Sequence, residues 1–389
     1  MGGLVGVFGK DSLVIGGLVI LVILIILGAV LFFAPPSIAF FSATQDSKLV
    51  VGASLALTGK AASYGVDIQN GINLALETIT ERGDKLNIQV LYDDTASIPQ
   101  TAVTSAQKFL QVDGANVIIA TGADEVLAIV PVTEEQKAIL FTPIGGSDKI
   151  DGSGKYVFRN REPSKLTAYT LAEFLFKKHL SKVLLLVGKS SASPASYAQS
   201  FTEKFSSLGG LSENYYYDEA SPDVRIALTK AKDNNTGAIY VVAGKDKDGA
   251  DVVRQIKEMG FSGLVVGGPA LDTTKFFESA REASEGVIIA VAPVDTSAPN
   301  AKNVLAEYKS KYGGDMPFAA ANAYDMIMLL NSAAGKCVEN TDCIREYLLS
   351  VKDYPGLGGK TTFNSSGGVT KPLALKVAKD GKFVLYKLG

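Results

Sequence analysis

Tryptophan is absent from this 389-residue chain, histidine occurs once and cysteine twice. So few imidazoles and thiols argue against a His/Cys metal centre and against a Cys–His nucleophile pair. His179 follows Phe176-Lys177-Lys178 at what reads as a helix end, the setting of a solvated residue. An excess of charge is missing too: 38 Lys and Arg against 40 Asp and Glu leave a net charge of -2, with no basic face for nucleic acid. No strand is followed by G-x-G-x-x-G, and no G-x-S-x-G elbow occurs. The stretch GLGGKTT (356–362) looks like a phosphate loop, but Tyr354 stands where that pattern needs its first glycine, and strand-like residues follow. Asp93-Asp94 closes an apolar run and reads as a solvated strand end, not a metal ligand pair. These absences remove the common catalytic sets, and the expectation is a chain that is not an enzyme and carries no cofactor or metal.

What is present is first of all a charge-free apolar run, LVIGGLVILVILIILGAVLFFA (13–34). It meets the roughly 20 residues a helix needs to cross the hydrocarbon core and exceeds the about 7–15 of a cleavable signal. Pro35-Pro36 end it. The expectation is a short cytoplasmic N-terminus (1–12), an uncleaved transmembrane signal anchor (13–34) and a linker (35–47), with everything after it extracytoplasmic on a single-pass membrane protein. Cleavage after Ala39 or Ala43 is the alternative. Cys337 and Cys343 straddle the turn-like residues of CVENTDC; that spacing suits a local disulfide in an oxidising space, two free thiols being the alternative.

From residue 48 a regular alternation begins. LVVGASLAL (49–57), NIQVLYDD (87–94), NVIIATG (116–122) and AILFTP (138–143) are apolar runs of strand length, each followed or preceded by an amphipathic stretch. The pattern restarts with KVLLLVG (182–188), AIYVVAG (238–244), GLVVGG (263–268) and GVIIAV (286–291). Helical stretches at 299–312, 318–335 and 342–351 and a hairpin around Asp380-Gly381 complete the chain. Strands alternating with helices predict α/β architecture, two units with parallel sheets covered on both faces. In such sheets ligands sit beyond the carboxyl ends of the strands, so the glycine-punctuated loop in LTGKAASYGVDIQNGINLAL (57–76) is a candidate binding element.

That stretch resembles the opening of type I periplasmic binding proteins of the leucine/isoleucine/valine-binding group, as do FRNREPSKLTAYTLAEFLFKK, SYAQSFTEKFSSLGG and the tail from CIREYLL to KVAKDGKF, in order from about residue 48 to the end. The resemblance implies two Rossmann-like lobes joined by three crossovers, lobe 1 being 48–163 plus 294–363 and lobe 2 being 164–293 plus 364–389. It implies a small-molecule ligand held between the lobes, an ABC transporter permease as membrane partner, and a monomeric soluble part; a ligand-sensing ectodomain working with a partner receptor is the alternative. Position by position, it places Tyr64 as an aromatic packing on the ligand and Tyr197 as its counterpart in lobe 2. The hydroxyl residue that holds a ligand carboxylate falls at Ala123, beside Asp124. A threonine-bearing segment becomes Gly145-Gly146-Ser147, whose backbone N–H groups are left to hold an anion. Lys245 takes a ligand-facing aromatic position, and the acid that pairs with an amino group falls at Pro269 or Ala270, with Asp272 the nearest acid. The resemblance therefore implies either a branched-chain or other amino acid, or an amide or small organic anion held by altered anchors.

Overall fold

The computed structural model describes residues 48–189 and 192–387. The anchor expected at 13–34 and its linker lie outside them; among the described residues no helix is long and apolar enough to cross a membrane.

In lobe 1, β1 (Leu49–Leu55), β2 (Ile88–Asp94), β3 (Val117–Ala120), β4 (Ile139–Thr142) and β5 (Val157–Arg159) form a sheet in the order β2-β1-β3-β4-β5. All of its pairs are parallel. Because successive side chains point to opposite faces, β3 divides its residues: Val117 and Ile119 pack with α1 (Ala62–Glu81), whereas Ile118 and Ala120 pack with α2 (Pro99–Gln111) and α3 (Ala123–Glu135). Burial on both faces explains why these strands read as unbroken apolar runs.

Lobe 2 repeats the scheme. It runs α4 (Ser164–Lys177), β6 (Lys182–Gly188), α5 (Ala192–Ser207), β7 (Leu211–Tyr217), α6 (Arg225–Asp233), β8 (Ala238–Val242), α7 (Asp246–Glu258), β9 (Leu264–Gly267), α8 (Thr274–Ala280) and β10 (Ile288–Val291). The parallel part of its sheet is ordered β7-β6-β8-β9-β10, the same arrangement as in lobe 1. The sequence gives no apolar run for β7: it is an edge strand, LSENYYY, exposed along most of its length.

The chain then returns to lobe 1 with α9 (Ala301–Tyr312), α10 (Phe318–Cys337) and α11 (Thr341–Ser350), and α10 covers the β1 face beside α1. A small antiparallel pair follows, β11 (Tyr354–Gly356) with β12 (Gly359–Thr361). Cys337 and Cys343 are joined, linking the end of α10 to the start of α11. The last strands, β13 (Ala374–Lys379) and β14 (Lys382–Leu385), extend the lobe 2 sheet antiparallel to β10. Asp380 and Gly381 between them both adopt positive φ, as an Asp-Gly hairpin turn requires.

One expected boundary is corrected. Residues 364–371, expected in lobe 2, stay with lobe 1: Val369 bridges Phe363 and both lie in the lobe 1 core. Arg159 N–H donates to the Gly367 carbonyl at 3.0 Å, and the Lys371 ammonium donates to Asn322 Oδ1 and to the Gly358 carbonyl, each at 2.8 Å. The third crossover therefore falls just before β13, after Lys371.

Candidate functional site

In a sheet ordered 2-1-3-4-5, the loops after the first and third strands diverge to opposite faces and leave a crevice between them. Each lobe has one such point, and the two face each other. A cavity of about 280 Å³ lies there, lined from lobe 1 by the segments after β1, β2, β3, β4 and β5, and from lobe 2 by the loops after β8 and β9 and by α5.

Asp94 shapes the first of these loops. It accepts the N–H groups of Leu57, Thr58 and Ala96 and the Thr58 hydroxyl, and the hydroxyl and N–H donors hold its carboxyl below the usual carboxylate range. Gly59, at φ +80°, makes the turn. Gly65 has a different task from the loop role its neighbours suggested, since α1 already begins at Ala62. A Cβ at Gly65 would lie 2.0 Å from the Ala56 carbonyl oxygen, so only glycine lets the helix start against the end of β1. This close approach aims Tyr64 into the cavity, edge-on to Phe318, with its hydroxyl donating to the Ala270 carbonyl of lobe 2 at 3.3 Å.

Other bonds also join the lobes: Ser63 Oγ to Asp246 Oδ2 at 3.0 Å, Ala192 N–H to Asp124 Oδ1 at 2.9 Å, and the Ser147 and Ser196 hydroxyls at 3.0 Å. These contacts define a closed arrangement.

Between the lobes, in the first crossover, stands Arg161. It is buried, lines the cavity, and packs its guanidinium over the Phe318 ring at 5.3 Å. Nη1 donates to the Ile144 carbonyl at 2.7 Å and Nη2 to the Tyr197 hydroxyl at 2.5 Å, while buried Nε has no hydrogen-bond partner. Glu162 Oε1 lies 4.0 Å from Nε, at the limit of an ion pair. Tyr240, fully buried, lines the same cavity with a hydroxyl that has no partner either. Burial raises the pKa of Tyr64, Tyr197 (to about 12) and Tyr240, so all three are neutral donors at physiological pH.

The sequence-derived residues divide accordingly. Tyr64, Ala123, Asp124, Tyr197 and Lys245 line the cavity. Lys245, however, donates to Glu219 at 3.2 Å and is therefore engaged within lobe 2. Asp272 is corrected: it lies off the cavity and is ion-paired to Lys376 at 2.9 Å. The Gly145-Gly146-Ser147 segment does not line the cavity, and Gly145 N–H is taken by the Thr142 hydroxyl at 3.0 Å, so it is no open anion nest. Gly146 matters for what it leaves out: a Cβ there would come within 3.2 Å of the Tyr197 hydroxyl and 3.3 Å of Arg161 Cζ. Glycine in place of the threonine implied by the resemblance thus makes room for the Arg161–Tyr197 pair. Neither Arg161 nor Tyr240 stands out in the sequence, since one lies in the polar segment NREP and the other inside a strand. The glycine at 146, which leaves out a side chain that would meet Arg161, was the one sequence signal for Arg161; Tyr240 had none.

Closure also juxtaposes two acids. Burial and the charge of Asp246 raise the Asp67 carboxyl from 3.8 to about 7. The Asp246 part exists only when the lobes meet, so closing takes up a proton. A raised pKa stabilises the closed form fully below the open-state value and loses that contribution as pH rises through about 7. Ligand affinity is therefore expected to rise as pH falls from 7.5 to 5.5, by less than the limit of tenfold per pH unit set by one proton. Titration calorimetry at the two pH values checks this, and Asp67→Asn should flatten the difference.

Comparison with known proteins places this arrangement. The sequence profile of the periplasmic binding protein family matches residues 48–382. The Leu/Ile/Val-binding protein BraC3 of Rhizobium johnstonii is 24% identical over 340 residues, covering 85% of this chain and 91% of the relative. The leucine-binding protein LivK of Thermotoga maritima shares the fold with a TM-score of 0.81 at 24% identity, over 87% of this chain and 98% of that one. A solute-binding protein of an ABC transporter from Rhodopseudomonas palustris, solved with 3,4-dihydroxybenzoic acid, gives a TM-score of 0.78 at 23% identity, over 87% and 95%. The chain belongs to the periplasmic binding protein family, in its type I leucine-binding group. Members of this family bind solutes and are not enzymes.

Proposed function

We propose that this chain is an extracytoplasmic solute-binding protein, tethered to the membrane by its N-terminal segment, that encloses a small organic acid between its lobes and delivers it to an ABC importer. The observation that carries the reading is the cavity at the two facing switch points, closed by hydrogen bonds between the lobes and holding the buried cation Arg161. The names of its relatives support the ligand class: leucine, isoleucine, valine and dihydroxybenzoic acid all carry a carboxylate. Lobe closure around such a ligand is the signal a permease would read.

The test is a thermal-shift screen of the full-length protein against amino acids, amides, short-chain and aromatic carboxylates, and sugars. A ligand at 100 times its Kd adds about 2.7 kcal/mol to stability, and small-angle scattering should show compaction with the same compound. Stabilisation by sugars alone, or by no compound, would end this reading. Retention of the chain in salt-washed membranes tests the tether separately.

A further inference from the structure

We infer that the solute is a carboxylate without an ammonium group, its carboxylate seated between Arg161 and the hydroxyls of Tyr240 and Tyr197. The inference rests on the solute-binding reading above and narrows its ligand.

The argument is one of donors and acceptors. A carboxylate only accepts hydrogen bonds, and an ammonium only donates them. At the Arg161 side of the cavity the available groups are donors. Arg161 uses one N–H of each terminal nitrogen, on Ile144 and Tyr197, which leaves Nε–H and two further N–H groups. Tyr197 accepts from Arg161 and so keeps its own proton to give. The Tyr240 hydroxyl is buried without a partner, a costly state that an acceptor in the cavity would relieve. Glu162, the one carboxylate near Arg161 Nε, stands at 4.0 Å and does not line the cavity.

The places where an ammonium would find an acid are apolar or already hold a donor. Ala270 and Pro269 line the cavity at the lobe 2 position, and the Ala270 carbonyl already accepts from Tyr64. Asp272 is held by Lys376. Of the two acids that do line the cavity, Glu125 accepts from the Thr95 hydroxyl at 2.5 Å and from Gly122 N–H, and Asp124 serves as the latch for Ala192 N–H. A buried ammonium left without a full partner costs several kcal/mol. The rest of the wall, including Ala61, Pro99, Ala123 and Ile144, suits an apolar body.

Titration calorimetry on the full-length protein uses a matched set: 4-methylpentanoate, L-leucine, isopentylamine and benzoate. The first three share one branched skeleton and differ only in the charged groups. 4-Methylpentanoate or benzoate is expected to bind at least about tenfold tighter than L-leucine, because leucine brings an ammonium that finds no full partner. Isopentylamine should give no binding heat. Arg161→Met should weaken the carboxylate about 100-fold, with Arg161→Lys recovering part of it. Tyr240→Phe keeps the ring and removes only the orphaned hydroxyl. It should weaken the carboxylate about tenfold while raising the melting temperature of the ligand-free protein, a pair of opposite effects that a purely structural role does not give. L-Leucine binding more tightly than 4-methylpentanoate would overturn the inference and leave the solute-binding reading intact, as would a Tyr240→Phe variant of unchanged affinity. If the matched set and the wider screen both yield no ligand, the solute-binding reading falls and takes this inference with it.

Discussion

Asp325→Ala is expected to lower the free energy of unfolding by about 3–5 kcal/mol, because it removes the carboxylate that faces a buried ammonium and accepts two buried N–H groups. Asp325 is 1% exposed and receives the backbone N–H groups of Leu357 and Gly358, each at 2.7 Å. Burial pushes its carboxyl up to about 6, with the Lys371 ammonium and the two N–H donors pulling it back. Lys371, 1% exposed, is pushed down to about 8 by burial against the attraction of Asp325. Alanine would strand that ammonium and orphan two buried N–H groups together. The same cluster reaches every crossover: Asn322, which accepts from Lys371, donates to the Pro143 carbonyl, and Asn160 donates to the Asn322 carbonyl at 3.0 Å. Asp295 N–H, in the second crossover, donates to the Leu357 carbonyl at 2.7 Å. Loss should therefore be seen in chemical denaturation as a lowered midpoint. Adding Lys371→Met to Asp325→Ala should restore part of the stability, since the stranded charge is then gone. A double variant less stable than the single one would refute the coupling.

Gly65→Ala is expected to cost about 2 kcal/mol or more, as overpacked sites do, and to weaken ligand binding at the same time. Its new Cβ would meet backbone, the Ala56 carbonyl at 2.0 Å, and not a side chain that can rotate away. Either β1 shortens or α1 withdraws, and α1 carries Tyr64 out of the cavity with it. Gly314→Ala is the matched control: no atom lies within 4 Å of a Cβ there, and the residue is not at positive φ. Equal effects at the two positions would dismiss the close approach as the cause. A drop in stability with unchanged ligand affinity would show that Tyr64 is placed independently of the helix start.

The GLGGKTT stretch shows how a local pattern and its tertiary use diverge. Its glycine-flanked N–H groups do cradle an anion, but the anion is the chain's own Asp325, 32 and 33 residues away in sequence, and not a phosphate. Similarly, the alternation of apolar runs gave eight of the ten parallel strands, because parallel strands buried on two faces must be continuously apolar. It passed over β5, only three residues long, and β7, most of whose side chains remain exposed at the sheet edge. The third crossover was misplaced because Val369 and Lys371 differ in no local way from the residues after them; only their partners across lobe 1 assign them.

For the site, the sequence by itself determined the strand-end loops, Tyr64, Tyr197 and the absence of the expected anchors at Ala123, Gly146 and Ala270. It also argued against a catalytic or metal centre built on histidine and cysteine, since the chain has one of the first and two of the second. Only the tertiary structure decided which charges are spent and which face the ligand. Lys245 and Asp272 look available in sequence, yet each meets an opposite charge within its own lobe, Glu219 and Lys376. Arg161 looks like an ordinary crossover residue, yet the fold buries it between the lobes in the cavity wall, with no hydrogen bond to a carboxylate. The physical reason is that a charge acts on a ligand only through what remains after its neighbours have paired with it, and those neighbours are fixed by folding across the chain.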